Sequence, residues 1–126
     1  MLWHWIPVAI GGACGCVSRY YLAESVYHWL HRLFPYGILA VNVLGSLIIG
    51  FLAILFIEKL HVAPVWRLAL IVGFCGGFTT FSSFSLDAVQ LAQEGRWNAA
   101  IFYVVITLVA CIVATIIGML LAREFV

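Results

Sequence analysis

Charged residues fall in short clusters along the chain and leave four long uncharged stretches: positions 2 to 18 (17 residues), 33 to 57 (25), 68 to 86 (19) and 97 to 122 (26). Each is near the roughly 20 residues an α-helix needs to cross a bilayer. The pattern predicts four membrane spans: Leu2 to Leu22, Tyr36 to Ile57, Pro64 to Ala92 with an interruption, and Trp97 to Ala122. Pro35, Pro64 and Gly95 fall where turns are needed. Trp3, Trp5, Trp29, Tyr36, Trp66 and Trp97 cluster near the proposed ends, as an interfacial aromatic belt requires. The expected fold is an all-α integral membrane protein, with residues 1 to 126 forming a single four-span domain. No room remains for a separate catalytic module, so no enzymatic activity is expected.

Composition sharpens this reading. The chain is 66% hydrophobic and 9% charged, with mean hydropathy +1.17; soluble domains are roughly half apolar and a quarter charged. A soluble globule of this composition would aggregate. The first 17 residues lack a Lys/Arg-bearing leader and run on through Arg19, so span one is expected in the mature protein. Cys14, Cys16, Cys75 and Cys111 lie in apolar segments without zinc-site spacing, and are expected as small buried side chains. His4, His28, His31 and His61 sit at span ends without ligand spacing.

The second connection and the C-terminus carry Lys59, Arg67 and Arg123, while the opposite face carries Arg32 and Arg96. A bias of three against two hardly specifies an orientation. The chain is therefore expected to insert both ways, so that two copies meet as an antiparallel, dual-topology homodimer. Gly11 and Gly15, Ser46 and Gly50, and Gly73 and Gly77 recur at the four-residue spacing of close helix contacts. From sequence these serve packing within one subunit or dimerisation equally well.

Span three contains Gly73-Phe74-Cys75-Gly76-Gly77-Phe78-Thr79-Thr80-Phe81-Ser82-Ser83-Phe84-Ser85. Paired glycines weaken a helix and hydroxyl residues cap a new one. The predicted structure stops near Gly76, unwinds and restarts near Thr79 or Thr80, a break near residues 76 to 80. Unwound backbone at membrane depth needs protein or a polar cavity around it, and freed carbonyls are hard oxygen ligands for a cation. The alternative is a Gly/Ser kink buried in packing.

Beyond the break, Phe78, Phe81 and Phe84 recur every three residues, beside the hydroxyls of Ser82 and Ser85. Ring edges are electropositive and can meet an anion without formal charge. Asn42 in span two offers amide donors to an anion or, alternatively, an interhelical hydrogen bond. In span four, Tyr103, Thr107, Cys111 and Thr115 share one stripe, either a polar track or hydroxyls bonded back to their own helix. Arg19 is the deepest ionisable residue of span one, placed there for function or snorkelling to the interface. No acid lies inside spans one, two or four, which disfavours a cation substrate or a carboxylate proton relay.

Over essentially its whole length the chain resembles the CrcB/Fluc fluoride channels. The match includes Gly11-Gly12-x-x-Gly15-x-x-x-Arg19-Tyr20, Asn42-x-x-Gly45 and, above all, Gly76-Gly77-Phe78-Thr79-Thr80-Phe81-Ser82-Ser83-Phe84-Ser85. The resemblance implies a dual-topology antiparallel homodimer in a bacterial-type inner membrane, with two fluoride pores along the subunit interface. A structural sodium ion would be held on the two-fold axis by the backbone carbonyls of Gly76 and Thr79 from each subunit. Phe81 and Phe84 look like the fluoride-contacting phenylalanines, Asn42 like the pore asparagine and Ser82 like the neighbouring serine. Tyr103, Thr107 and Thr115 would form the span-four track, and Arg19 matches the family arginine. Ser83 stands where Thr is commoner, Phe78 for Leu and Asp87 for Glu. Cys111 occupies a track position where a hydroxyl is expected, and a thiol is a weak donor.

The resulting expectation is passive fluoride export, conferring fluoride resistance, with fluoride, the bilayer and a second copy as partners and no nucleic acid. A small dual-topology multidrug exporter would need an embedded acid in span one, where this chain has Arg19. A non-conducting assembly subunit would explain the small-residue motifs but not Asn42 and the broken helix together.

Overall fold

A computed structural model describes residues 2–126. It is all-helical among those residues: α1 (Trp5–Trp29), α2 (Tyr36–Lys59), α3 (64–78), α4 (Phe81–Gln93) and α5 (Trp97–Phe125). Together α3 and α4 occupy the expected third span. Pro64 opens α3 at a position where its missing N–H is harmless. Between α4 and α5 the chain turns at Gly95, whose φ of 77° is the left-handed region that glycine adopts without strain.

Three helical stretches are long and apolar enough to cross a membrane: Tyr36–Lys59, Pro64–Gln93 and Trp97–Phe125. The fourth of the expected spans, α1, is a single continuous helix of lower hydropathy. Its 25 residues suffice in length, but Gly11, Gly12, Ser18, Arg19, Tyr20 and Tyr21 dilute its apolar character. Outward faces elsewhere carry Ile101, Phe102, Val105, Ile112 and many other large apolar side chains. That surface suits lipid rather than water. Trp3, Trp5, Trp29, Trp66 and Trp97 are also exposed.

Glycines decide how the helices meet. A methyl group on Gly11 would strike the Ala69 carbonyl, one on Gly15 the Phe74 carbonyl, and one on Gly77 the Gly12 carbonyl, so α1 and α3 touch backbone to backbone. Gly50 and Gly118 do the same for α2 and α5, against Thr115 and Leu47. These contacts lie within one subunit, which assigns the Gly11/Gly15 and Gly73/Gly77 pairs to intrachain packing.

The break falls later than the glycine pair suggests. Cys75 and Gly76 keep helical torsions, and the extended residues are Thr79 (φ −86°, ψ 159°) and Thr80 (φ −152°, ψ 112°). Before it, bonding over Leu68–Cys75 widens to the i→i+5 pattern, as it also does over Leu55–Lys59, where the Leu60 N–H reaches the Leu55 carbonyl at 2.7 Å. The two extended residues also upset the expected phenylalanine stripe. Phe78 is buried on α3 and stacked on Phe74 (5.6 Å, 10°), whereas Phe81 and Phe84 belong to α4. Cys75 is buried as expected, but Cys14 and Cys16 are exposed, because they flank on opposite sides the face of α1 that Gly11 and Gly15 press onto α3.

Salt bridges sit at the two ends of the molecule. Arg123 meets Glu58 at 3.0 Å, tying α5 to α2, and Arg32 meets Glu24 at 2.6 Å. Exposed pairs of this kind contribute little, so the fold rests on packing.

Candidate functional site: a cavity at the helix break

Two extended residues in mid-helix strip backbone groups of their partners, and at membrane depth each must find another. The Thr80 N–H donates to Asn42 Oδ1 at 2.8 Å, and Asn42 Nδ2 donates to the Thr80 carbonyl at 3.1 Å. Asn42 thus acts as a peptide-like clasp from α2. In an unbroken helix the Thr80 N–H would return to Gly76, so this clasp releases the Gly76 carbonyl. One Nδ2 hydrogen of Asn42 stays available.

Thr80 also caps α4. Its hydroxyl accepts the Ser83 N–H at 3.1 Å and donates to Ser83 Oγ at 3.1 Å, with Ser82 Oγ 3.3 Å away. The Thr79 N–H and hydroxyl both return to the Cys75 carbonyl, at 3.0 and 2.8 Å. The Thr79 carbonyl accepts from Arg19 Nη1 at 3.3 Å. Arg19 therefore turns toward the break instead of snorkelling away.

Beside this ledger lies a cavity of about 290 Å³ between α2, α4 and α5. Asn42, Phe81, Phe84 and Thr107 line it, and so do Thr80, Ser46 and Cys111. No carboxylate contributes to its wall. The positive end of α4 opens at it, because Phe81 begins the helix and Thr80 caps it. Thr107 Oγ1 is the one buried side-chain oxygen or nitrogen without a hydrogen-bond partner among the described residues. Phe84 is buried and tilted against Tyr103 (5.2 Å, 52°), whereas Phe81 is 75% exposed.

Other predicted site residues lie elsewhere in the single chain. Tyr103 is fully buried behind Phe84, its hydroxyl 3.4 Å from Asp87 Oδ2, and does not reach the cavity. Thr115 gives its hydroxyl back to the Cys111 carbonyl at 3.0 Å. Ser82 is exposed and outside the cavity. Gly76 is exposed too, with open space where a Cβ would stand. Thr80 is the residue whose weight sequence reasoning missed. The available signal was its place three residues before Ser83, where an N-cap oxygen finds a backbone N–H.

A cation held by Gly76 and Thr79 would need both carbonyls turned to one point. The residues fit in part: the carbonyl of exposed Gly76 has lost its helical donor, and Thr79's is free of backbone partners but faces Arg19. Two carbonyls are fewer than a sodium ion requires, so the rest of such a cage would come from another copy. No cluster of three or more His, Cys, Asp or Glu side chains able to hold a metal occurs among the described residues.

A helical membrane protein built around a broken helix, with a largely apolar, acid-free cavity at the break edged by a few polar groups, is the class that fold and site define. The chain belongs to the family described as CrcB-like protein, Camphor Resistance (CrcB), whose profile matches residues 6–119. The "Fluoride-specific ion channel FluC" of Magnetococcus marinus is 44% identical over 116 residues, covering 92% of this chain and 94% of its own length. The protein of the same name from Saccharophagus degradans is 41% identical over 124 residues, covering 97% and 91%. That of Methylococcus capsulatus is 41% identical over 117 residues, covering 93% of this chain and 51% of its own longer sequence. The family is one of ion channels and not of enzymes, and the chain is a multi-pass protein of the bacterial plasma membrane.

Proposed function

We propose that this chain is a passive fluoride channel that works as an antiparallel, dual-topology homodimer of four-span subunits, with two pores and a structural sodium ion between the subunits. The observation that carries the reading is the cavity at the break. It is lined by Thr107, whose hydroxyl is unpartnered, by Phe81 and Phe84 and by the positive end of α4, with no carboxylate to repel an anion. Fluoride is small and strongly hydrated, so its passage needs donors that replace water without trapping the ion. A neutral hydroxyl, one amide hydrogen and ring edges supply that mild attraction.

A second copy is favoured by what one chain leaves open. Phe81, Ser82 and Gly76 are all exposed beside the break. Covering them with the same surface in inverted orientation would bring two Gly76 and two Thr79 carbonyls together and close the cavity walls. Sodium, when bound, would supply a positive charge that holds these carbonyls at one point. Within the chain, Asn42 keeps Thr80 extended and Thr80 starts α4, which aims Phe81 and Phe84. The near-balanced arginine and lysine count, three against two, suits insertion in both orientations.

Fluoride efflux from liposomes holding only this protein tests the reading. Electrogenic fluoride release without chloride release is expected. Tight vesicles, or release dependent on a proton gradient, would overturn it.

A further inference from the structure

At the break, carbonyls outnumber the N–H groups left to meet them. Thr80's N–H goes to Asn42 and Ser83's to the Thr80 hydroxyl, which leaves the Thr79 carbonyl without a backbone donor. A side-chain cation takes the position: Arg19 Nη1 lies 3.3 Å from that oxygen, sixty residues away in sequence. The reach is possible because Gly15 brings α1 directly onto the backbone of Phe74 and Phe78. Arg19 Nη2 faces only Cys16 Sγ, at 3.9 Å, and Arg19 belongs to none of the salt bridges among the described residues. A full, uncompensated positive charge thus sits on one of the carbonyls assigned above to sodium.

We infer that Arg19 is the resident cation of the break: its guanidinium holds the Thr79 carbonyl in the single chain and its charge opposes a metal cation on that same oxygen, so Arg19 sets the sodium affinity. The inference rests on the sodium reading and adds the residue that opposes it. Two positive charges sharing one oxygen repel, and low-dielectric surroundings screen them little. A guanidinium cannot relieve this by losing its proton. Either the repulsion stands or the side chain moves off, and the work of either lowers the affinity for the ion.

The test is sodium binding, read apart from fluoride flux. The purified full-length protein is placed in N-methylglucamine chloride and titrated with sodium chloride, with calorimetry and the thermal unfolding midpoint as readouts. Arg19→Gln keeps an N–H donor for the Thr79 carbonyl but no charge, whereas Arg19→Lys keeps the charge. The expected result is sodium binding at least tenfold tighter in Arg19→Gln than in the unmodified protein, with Arg19→Lys close to the latter. Equal or weaker binding in Arg19→Gln, with sodium still bound by the unmodified protein, would overturn the inference and leave the sodium site standing. No sodium dependence in any of the three would remove both. Should Arg19→Gln fail to fold, Arg19→Ala replaces it. Millimolar methylguanidinium is then expected to weaken sodium binding to Arg19→Ala but not to the unmodified protein, and no such competition would overturn the inference.

Discussion

Replacing Asn42 with Asp changes one amide nitrogen to an oxygen at the point where α2 holds the break. Asn42 now makes two buried hydrogen bonds to Thr80, one as acceptor at 2.8 Å and one as donor at 3.1 Å. The acceptor survives in Asn42→Asp. The donor becomes an ionised oxygen facing the Thr80 carbonyl, which loses one bond and sets two acceptors against each other. A buried acceptor left unsatisfied costs about 1–3 kcal/mol, and more when charge is involved; the expected destabilisation is therefore at least ~2 kcal/mol at neutral pH. A buried carboxyl avoids its charge by holding a proton, and the neutral acid is again a donor. The sign follows: stability lost in Asn42→Asp at pH 8 returns as pH falls and the introduced carboxyl is protonated. Thermal unfolding between pH 8 and pH 5 measures this without the interference that membrane-permeant hydrogen fluoride brings to flux assays. At neutral pH, fluoride efflux is expected to be suppressed. An unfolding midpoint equal to that of the unmodified protein at every pH would refute the clasp, and retained flux would remove Asn42 from the pore as well.

Thr107→Val removes the unpartnered hydroxyl while keeping its shape; fold stability should hold or rise by up to about 1 kcal/mol, while fluoride efflux falls at least tenfold. Phe81→Ile and Phe84→Ile are each expected to reduce efflux, with Phe84→Ile also lowering the unfolding midpoint because its ring is buried; unchanged flux in both would end the ring-edge proposal. Gly77→Ala drives a methyl into the Gly12 carbonyl and should sharply reduce the yield of folded protein in gel filtration.

The long helices were legible as gaps between charges, because a bilayer imposes a minimum apolar length that composition records directly. The break was legible as a motif, and its two extended residues fall at the C-terminal end of the expected stretch, 76 to 80. Glycines 76 and 77 permit unwinding, yet backbone torsion follows the available partners, and Asn42 offers its clasp to Thr80. That pairing joins positions 38 residues apart and leaves no local trace. The same holds for Tyr103 and Thr115: strict spacing put them on one stripe with Thr107, but only the packing of α4 and α5 decides which member faces the cavity. Cys14 and Cys16 show the converse limit, since an apolar segment does not say which of its sides faces other helices.

The 29 residues of α5 give it a length of about 43 Å at 1.5 Å per residue, whereas a bilayer's hydrocarbon layer is about 30 Å thick. The excess reaches into the headgroup layers, where Trp97 and Arg123 sit, or is taken up by leaning. Gly50 and Gly118 lock α5 against α2, so α5 cannot lean alone. Lipid chain length therefore acts as a lever on the whole bundle: thin bilayers would pull at that glycine seam, and thick ones would let it rest.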